Sequence, residues 1–157
     1  MSKSTPATLA LTRAGLAFTL HAYDYDPSAE RIGLQAAEAL GEPPSRVLKT
    51  LMTRVDGRPV CVVLASDREV AMKKLAAAAG GKSAEMMAPA EAERMTGYRI
   101  GGVSPFGQKR KVPTVLDRAA LEHALVYVNG GQRGLQARLD PALIRQALKA
   151  IVAEIAS

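Results

Sequence analysis

Cysteine, histidine and tryptophan are nearly missing from this chain, and each shortage removes a class of chemistry. The single cysteine, Cys61, rules out an intramolecular disulfide. It sits in the apolar run Val60-Cys61-Val62-Val63-Leu64-Ala65, where a thiol is usually an inert core group rather than a nucleophile. Two histidines, His21 and His123, with no HExxH or CxxC spacing, leave too few ligands for a catalytic zinc, so neither a metal nor a cofactor is expected. There is no tryptophan, and four tyrosines and two phenylalanines give poor support to a sheet that reads RNA by base stacking. No apolar run approaches the ~20 residues of a membrane span, and the N-terminus lacks a secretory hydrophobic segment. The expectation is a cytoplasmic protein without a membrane partner, whose mature form is the whole chain.

What is present is apolar and basic. At 157 residues and 48% hydrophobic content, the chain has the material for one core and is read as a single domain over residues 1–157. Lys plus Arg number 21 against 15 Asp plus Glu, a formal charge of +6, and part of the excess is bunched as Lys109-Arg110-Lys111. That cluster is either a contact for a polyanion or an ordinary solvated face.

Local signals divide the chain clearly. Ser4-Thr5-Pro6 caps a first helix that ends at Gly15, and Phe18 to Tyr23 alternates as a strand. A second helix is predicted from Gly33 to Leu40, before Gly41. Val47 to Val55 and Pro59 to Ala65 form a hairpin around Asp56-Gly57. Ser66 or Asp67 then caps a helix running to Ala79, which Gly80-Gly81 stops. A short strand near Ser83 to Met86 and a helix from Pro89 to Met95 follow. Gly97 to Gly107 is irregular, with four glycines and a proline. Strands are expected at Pro113 to Leu116, Leu125 to Val128 and Leu135 to Leu139, with a short helix around Ala119 to His123. Asp140-Pro141 caps a terminal helix running towards Ile155. The fold class is α/β, with a mixed, largely antiparallel sheet.

Few residues offer reactive chemistry. Ser104 lies in Gly102-Val103-Ser104-Pro105-Phe106, which is not the GxSxG elbow of a serine hydrolase. The glycine loops Gly101 to Gly107 and Gly130 to Gly134 match neither a phosphate-binding loop nor a dinucleotide fingerprint. They are tight turns, or pocket walls whose amides point at a carbonyl or phosphate. Lys49, in Leu48-Lys49-Thr50-Leu51-Met52, is either the solvent-facing member of a strand or a functional cation.

Five segments together resemble a known family: Leu20-His21-Ala22-Tyr23-Asp24, Lys49-Thr50-Leu51, Thr96-Gly97-Tyr98, Gly101-Gly102-Val103-Ser104-Pro105-Phe106-Gly107-Gln108, and Val128-Asn129-Gly130-Gly131-Gln132-Arg133-Gly134-Leu135. They occur in this order in YbaK-type proteins, freestanding relatives of the editing domain inserted in bacterial prolyl-tRNA synthetases. Those proteins remove cysteine mischarged onto tRNA for proline. The resemblance implies a barrel-like sheet with surrounding helices, and an ester hydrolase that can also be classed as a lyase. It assigns Lys49 to the phosphate and terminal adenosine of the acceptor end. Gly101 and Gly102 become the catalytic loop beside the aminoacyl carbonyl. Substrate contacts are implied for His21, Tyr23, Ser104, Pro105, Gly130, Gly131 and Arg133, although a strand histidine beside a core is a competing reading of His21. Lys109, Arg110 and Lys111 would attract tRNA phosphates, and prolyl-tRNA synthetase would be a partner. Tyr25, Ile32 and Gln136 depart from the family pattern, where relatives carry histidine, an aromatic and, in one case, an acid. The implied reaction is substrate-assisted, using the cysteine thiol or the ribose hydroxyl. A deacylase of the same superfamily for another mischarged tRNA, such as alanyl-tRNA for proline, or a non-catalytic RNA-binding adaptor, remains the alternative.

Overall fold

A computed structural model describes residues 4–28 and 32–157, without the side chains of residues 32 and 33, so the departure at Ile32 lies outside the described residues. Helix α1 (Pro6–Arg13) starts where its cap predicts. The Thr5 hydroxyl accepts from the Thr8 N–H at 3.0 Å, and the Thr8 hydroxyl accepts from the Thr5 N–H at 2.8 Å, closing a reciprocal capping box. Strand β1 (Thr19–Ala22) and helix α2 (Ile32–Leu40) follow. The hairpin of β2 (Leu48–Val55) and β3 (Arg58–Ala65) turns on Asp56 and Gly57, whose φ values of 50° and 80° suit the right-handed twist of the strands.

Helix α3 is shorter than the sequence suggests, spanning Met72–Ala78 with neither Ser66 nor Asp67 as its cap. Residues 66–71 are drawn into tertiary bonds instead. Ser66 N–H donates to Val47 O at 3.0 Å, Val70 bridges Ala156, and Ala71 N–H donates to Ile155 O at 2.7 Å. Strand β4 (Ala84–Met86), helix α4 (Pro89–Thr96) and strand β5 (Thr114–Asp117) come next. The helix expected near Ala119 is a 3-10 turn, Arg118–Glu122. Strands β6 (Val126–Asn129) and β7 (Leu135–Leu139) lead to α5 (Pro141–Leu148), capped by Asp140. The terminal helix does not reach Ile155. Lys149 takes a left-handed conformation at φ 50°, and Ile151–Ala153 becomes strand β8, pairing in parallel with β5.

Two sheets result: β1-β7-β6, all antiparallel, and β4-β2-β3-β5-β8, in which β3–β5 and β5–β8 are parallel. The architecture is mixed α/β as expected. A bridge from Val47 to Tyr127 joins the sheets, which do not close into a barrel. The main core fills the space between them, with Met52, Cys61, Val63 and Leu116 from one sheet and Val126, Val128, Ala137 and Leu139 from the other. Helices α1, α4 and α5 add Leu11, Ala92 and Ile144. On the far face of the larger sheet, Val62, Leu64 and Val115 pack under α3 and Ile155. Strand β4 pairs only with Thr53, Arg54 and Val55, so the first half of β2 is left as an edge beside α4.

Candidate active site

The β2 edge forms one wall of a cleft of about 330 Å³. Residues 48–52 all line it, because a strand edge presents both its faces to an adjoining cavity. The opposite walls come from Tyr23 and Tyr25 after β1, Asn129 and Gln136 of the smaller sheet, Ile100, Gly101 and Val103 of the irregular loop, and Pro89 and Ala92 of α4. Among the described residues, Lys49 is the charged one in these walls. Its side chain is 21% exposed, and Nζ lies 4.0 Å from a carboxylate oxygen of the largely exposed Glu69. An ion pair of that length at the surface is weak, which leaves the ammonium available to an anionic ligand.

Among the described residues, two side-chain atoms in the cleft are buried without a hydrogen-bond partner: Thr50 Oγ1 and Gln136 Oε1. Leaving a buried acceptor unsatisfied costs about 1–3 kcal/mol, which a donor on a ligand would offset. The Tyr23 hydroxyl has its pKa raised by burial, partly countered by the Gln136 side chain and the Gly134 backbone, and so stays a neutral donor at physiological pH.

The glycine loop is fixed by its neighbours. Asn129 Nδ2 donates to Gly101 O at 3.1 Å while Asn129 Oδ1 accepts from Gly131 N–H at 2.7 Å, so one buried amide ties the two glycine loops together. Arg133 Nε donates to Ile100 O at 2.9 Å, and its guanidinium lies 5.2 Å from the centre of the Tyr25 ring. Gly101 has φ 91°, and a Cβ there would come within 2.8 Å of the Tyr25 hydroxyl. A Cβ on Gly102 would stand 2.9 Å from the Arg133 backbone nitrogen. The Gly102 N–H is committed to Arg99 O at 2.8 Å, whereas the Gly101 N–H has no acceptor among the described residues.

The other sequence-selected residues are placed as follows. His21 pairs with Gln136 across β1 and β7 but stands back from the cleft, its ring edge-on to Tyr127 at 5.4 Å and Nε2 bonded to Thr19 at 2.8 Å. Ser104 is fully buried, its hydroxyl accepting from Phe106 N–H at 3.1 Å, and Pro105 is buried beside it. Gly130 accepts from the Thr5 hydroxyl at 2.5 Å, and a Cβ on Gly131 would meet Thr5 at 2.9 Å. These four shape the loops and do not line the cleft. Lys109, Arg110 and Lys111 are exposed outside it. Cys61 is buried and its thiol is pushed up to about 12 by desolvation, so it is not a nucleophile at neutral pH. Among the described residues no three metal-ligating side chains converge, and no helix is long and apolar enough to cross a membrane. Thr50 and Asn129 lie within the recognised motifs, but the sequence gives neither a role, since a threonine in a strand and an asparagine before a glycine turn are both ordinary.

Comparison with known proteins gives a consistent pattern. A family model described as an aminoacyl-tRNA editing domain matches residues 26–147. The chain is 36% identical over 135 residues to EbsC of Enterococcus faecalis, provisionally named a Cys-tRNA(Pro)/Cys-tRNA(Cys) deacylase, covering 85% of this chain and 82% of that one. It is 30% identical over 104 residues to the proline–tRNA ligase of Maridesulfovibrio salexigens, taking in 64% of this chain and 17% of the ligase. A crystal structure provisionally described as a trans-editing enzyme for prolyl tRNA synthetase superposes with a TM-score of 0.82 at 25% identity, covering 99% of both chains.

Proposed function

Since the chain belongs to the aminoacyl-tRNA editing domain family, we propose that its cleft receives the acceptor end of a mischarged tRNA and hydrolyses the aminoacyl ester, with cysteine on tRNA for proline as the preferred substrate. The observation that carries this reading is the cleft's composition. Among the described residues it combines one cation, Lys49, a glycine amide without an acceptor at Gly101, and unpartnered acceptors at Thr50 and Gln136. An aminoacyl ester on a terminal nucleotide needs those features: a counter-charge for phosphate, a donor for the carbonyl oxygen, and acceptors for the α-ammonium.

An aminoacyl ester is already activated, so orientation and carbonyl polarisation supply much of what hydrolysis requires. Lys49 anchors the anionic end. Gly101 N–H stabilises the developing oxyanion, while Gly102 uses its own N–H to hold the turn that aims it. The substrate's thiol closes on the ester carbonyl and expels the ribose oxygen of the tRNA, forming a cyclic thioester that water then opens, or the free ribose hydroxyl positions a water that attacks the ester directly. Both accord with a cleft wall bearing no carboxylate or histidine among the described residues. Specificity for one tRNA would come from prolyl-tRNA synthetase in the cytoplasm, consistent with the resemblance to a segment of proline–tRNA ligase.

The test is release of cysteine from purified cysteinyl-tRNA for proline. Release by the native protein, falling about 10- to 100-fold in Lys49→Ala, is expected. No release by the native protein overturns the assignment. Equal rates on seryl-tRNA would remove the thiol from the mechanism, and faster release from alanyl-tRNA for proline would replace cysteine as the substrate.

A further inference from the structure

On the other side of α4 from the cleft lies a second depression, a groove of about 480 Å³ lined by Arg54, Glu91, Arg94, Met95, Lys109 and Arg110. Helical spacing makes α4 the partition: Pro89 and Ala92 face the cleft, whereas Glu91, Arg94 and Met95 face the groove. The segment carrying Lys109 and Arg110 is fastened to the end of the helix. Lys109 N–H donates to Thr96 O at 2.8 Å and Arg110 N–H to Met95 O at 3.1 Å. With Gly97 N–H on Glu93 O at 2.9 Å, these bonds cover the C-terminal carbonyls of α4, which would otherwise repel an anion.

The groove's cations are not equivalent. Arg54 is engaged on both sides: its guanidinium donates to both carboxylate oxygens of Glu91, and Nη1 donates to Gly57 O at 2.7 Å. Of the remaining acids nearby, Glu93 accepts from Ile100 N–H at 2.9 Å, and Glu85 acts on Arg54. Arg94, Lys109 and Arg110 are exposed and form no ion pair within 4 Å among the described residues, although Glu91 also attracts Arg94 at longer range. Two of the three are arginines, whose planar fork matches phosphate oxygens in pairs.

We propose that this groove is a phosphate track for the stem of the RNA whose acceptor end enters the cleft, with Arg94, Lys109 and Arg110 as its contacts and Glu91 masking Arg54. The proposal rests on the reading of the substrate as an aminoacyl-tRNA, but binding of uncharged tRNA does not require ester hydrolysis. The groove assigns Arg94, which no sequence motif marks, and gives the basic cluster a defined partner surface.

Fluorescence anisotropy with uncharged tRNA, titrated between 50 and 200 mM salt (roughly the range where phosphate contacts dominate), tests it. The triple variant Arg94→Ala, Lys109→Ala, Arg110→Ala should bind about tenfold or more weakly, with the logarithmic salt slope reduced by about two to three. A control triple of equal charge change, Lys73→Ala, Arg118→Ala, Arg145→Ala, should lose much less. Glu91→Gln should tighten binding and steepen the slope by about one, since it frees Arg54. Equal losses in the two triples would reduce the effect to net charge and overturn the proposal, as would unchanged binding in the groove triple. Unchanged or weaker binding in Glu91→Gln would overturn the masking role. Groove-dependent binding without deacylation would leave the track standing and remove the hydrolase reading.

Discussion

At the scale of single residues, what matters is which polar groups are already occupied. Cys61 is the clearest negative. Cys61→Ala should leave deacylation within about twofold and cost about 1 kcal/mol of stability from the small void it opens. Its titration has a definite sign. The unfolded thiol ionises above its ordinary 9.0 while the folded one stays neutral to about 12, so stability falls as pH rises through that window. Alkylation by iodoacetamide at pH 8 should be slow in native protein and fast in denaturant, and fast native labelling would contradict the burial. Gly102 makes the opposite point. Its Cβ would meet backbone rather than a movable side chain. Gly102→Ala should therefore push the 100–107 loop off Arg133 and cut deacylation about tenfold or more without unfolding the protein, as read by rate and circular dichroism together.

Elements are held by a few residues at their ends. Asp56 turns the β2–β3 hairpin and also receives Lys82 N–H at 3.1 Å and Ser83 N–H at 3.0 Å, which fastens the approach to β4. These backbone donors, first Ser83 and then Lys82, hold its carboxyl below the ordinary 3.8. The stabilisation is thus complete above about pH 3.8 and lost as pH falls through the lower folded value. Asp56→Ala should lower Tm at pH 7, and the difference from the native protein should shrink on acidification. Lys149 ends α5 at φ 50°, a position that favours glycine. Lys149→Gly should raise stability by about 1 kcal/mol, measured by urea unfolding. A decrease would mean that the lysine side chain makes a contact outweighing its backbone strain.

The whole molecule is closed by residues 151–157. Ile155 is fully buried under the larger sheet, its N–H donating to Asp117 Oδ1 at 3.1 Å and its carbonyl accepting from Ala71. Strand β8 lies at the sheet edge beside β5, so the last residues join β5 to the turn before α3. Ile155→Ala should cost about 2–5 kcal/mol. Removing residues 151–157 should abolish the cooperative unfolding transition, and a truncated chain that melts as sharply as the full one would show the closure to be dispensable.

Local chemistry alone determined a good deal of this. The Thr5 cap, the Asp56-Gly57 hairpin, the glycine stops and the alternating strands all act between residues close in the chain, so their physics is written in the sequence. The Lys49 and glycine-loop motifs were legible for the same reason, as contiguous patterns. The tertiary structure decided the rest. Residues 66–71 gave up a helix for bonds to Val47 and Ile155, and the end of α5 gave way to β8, because distant partners outweighed local propensity. His21 stands back from the cleft and Gln136 lines it, although they sit opposite each other in neighbouring strands. The partition made by α4, with the cleft on one face and the cationic groove on the other, joins segments more than 30 residues apart. No spacing in a one-dimensional sequence encodes that, since it arises only when packing brings those segments together.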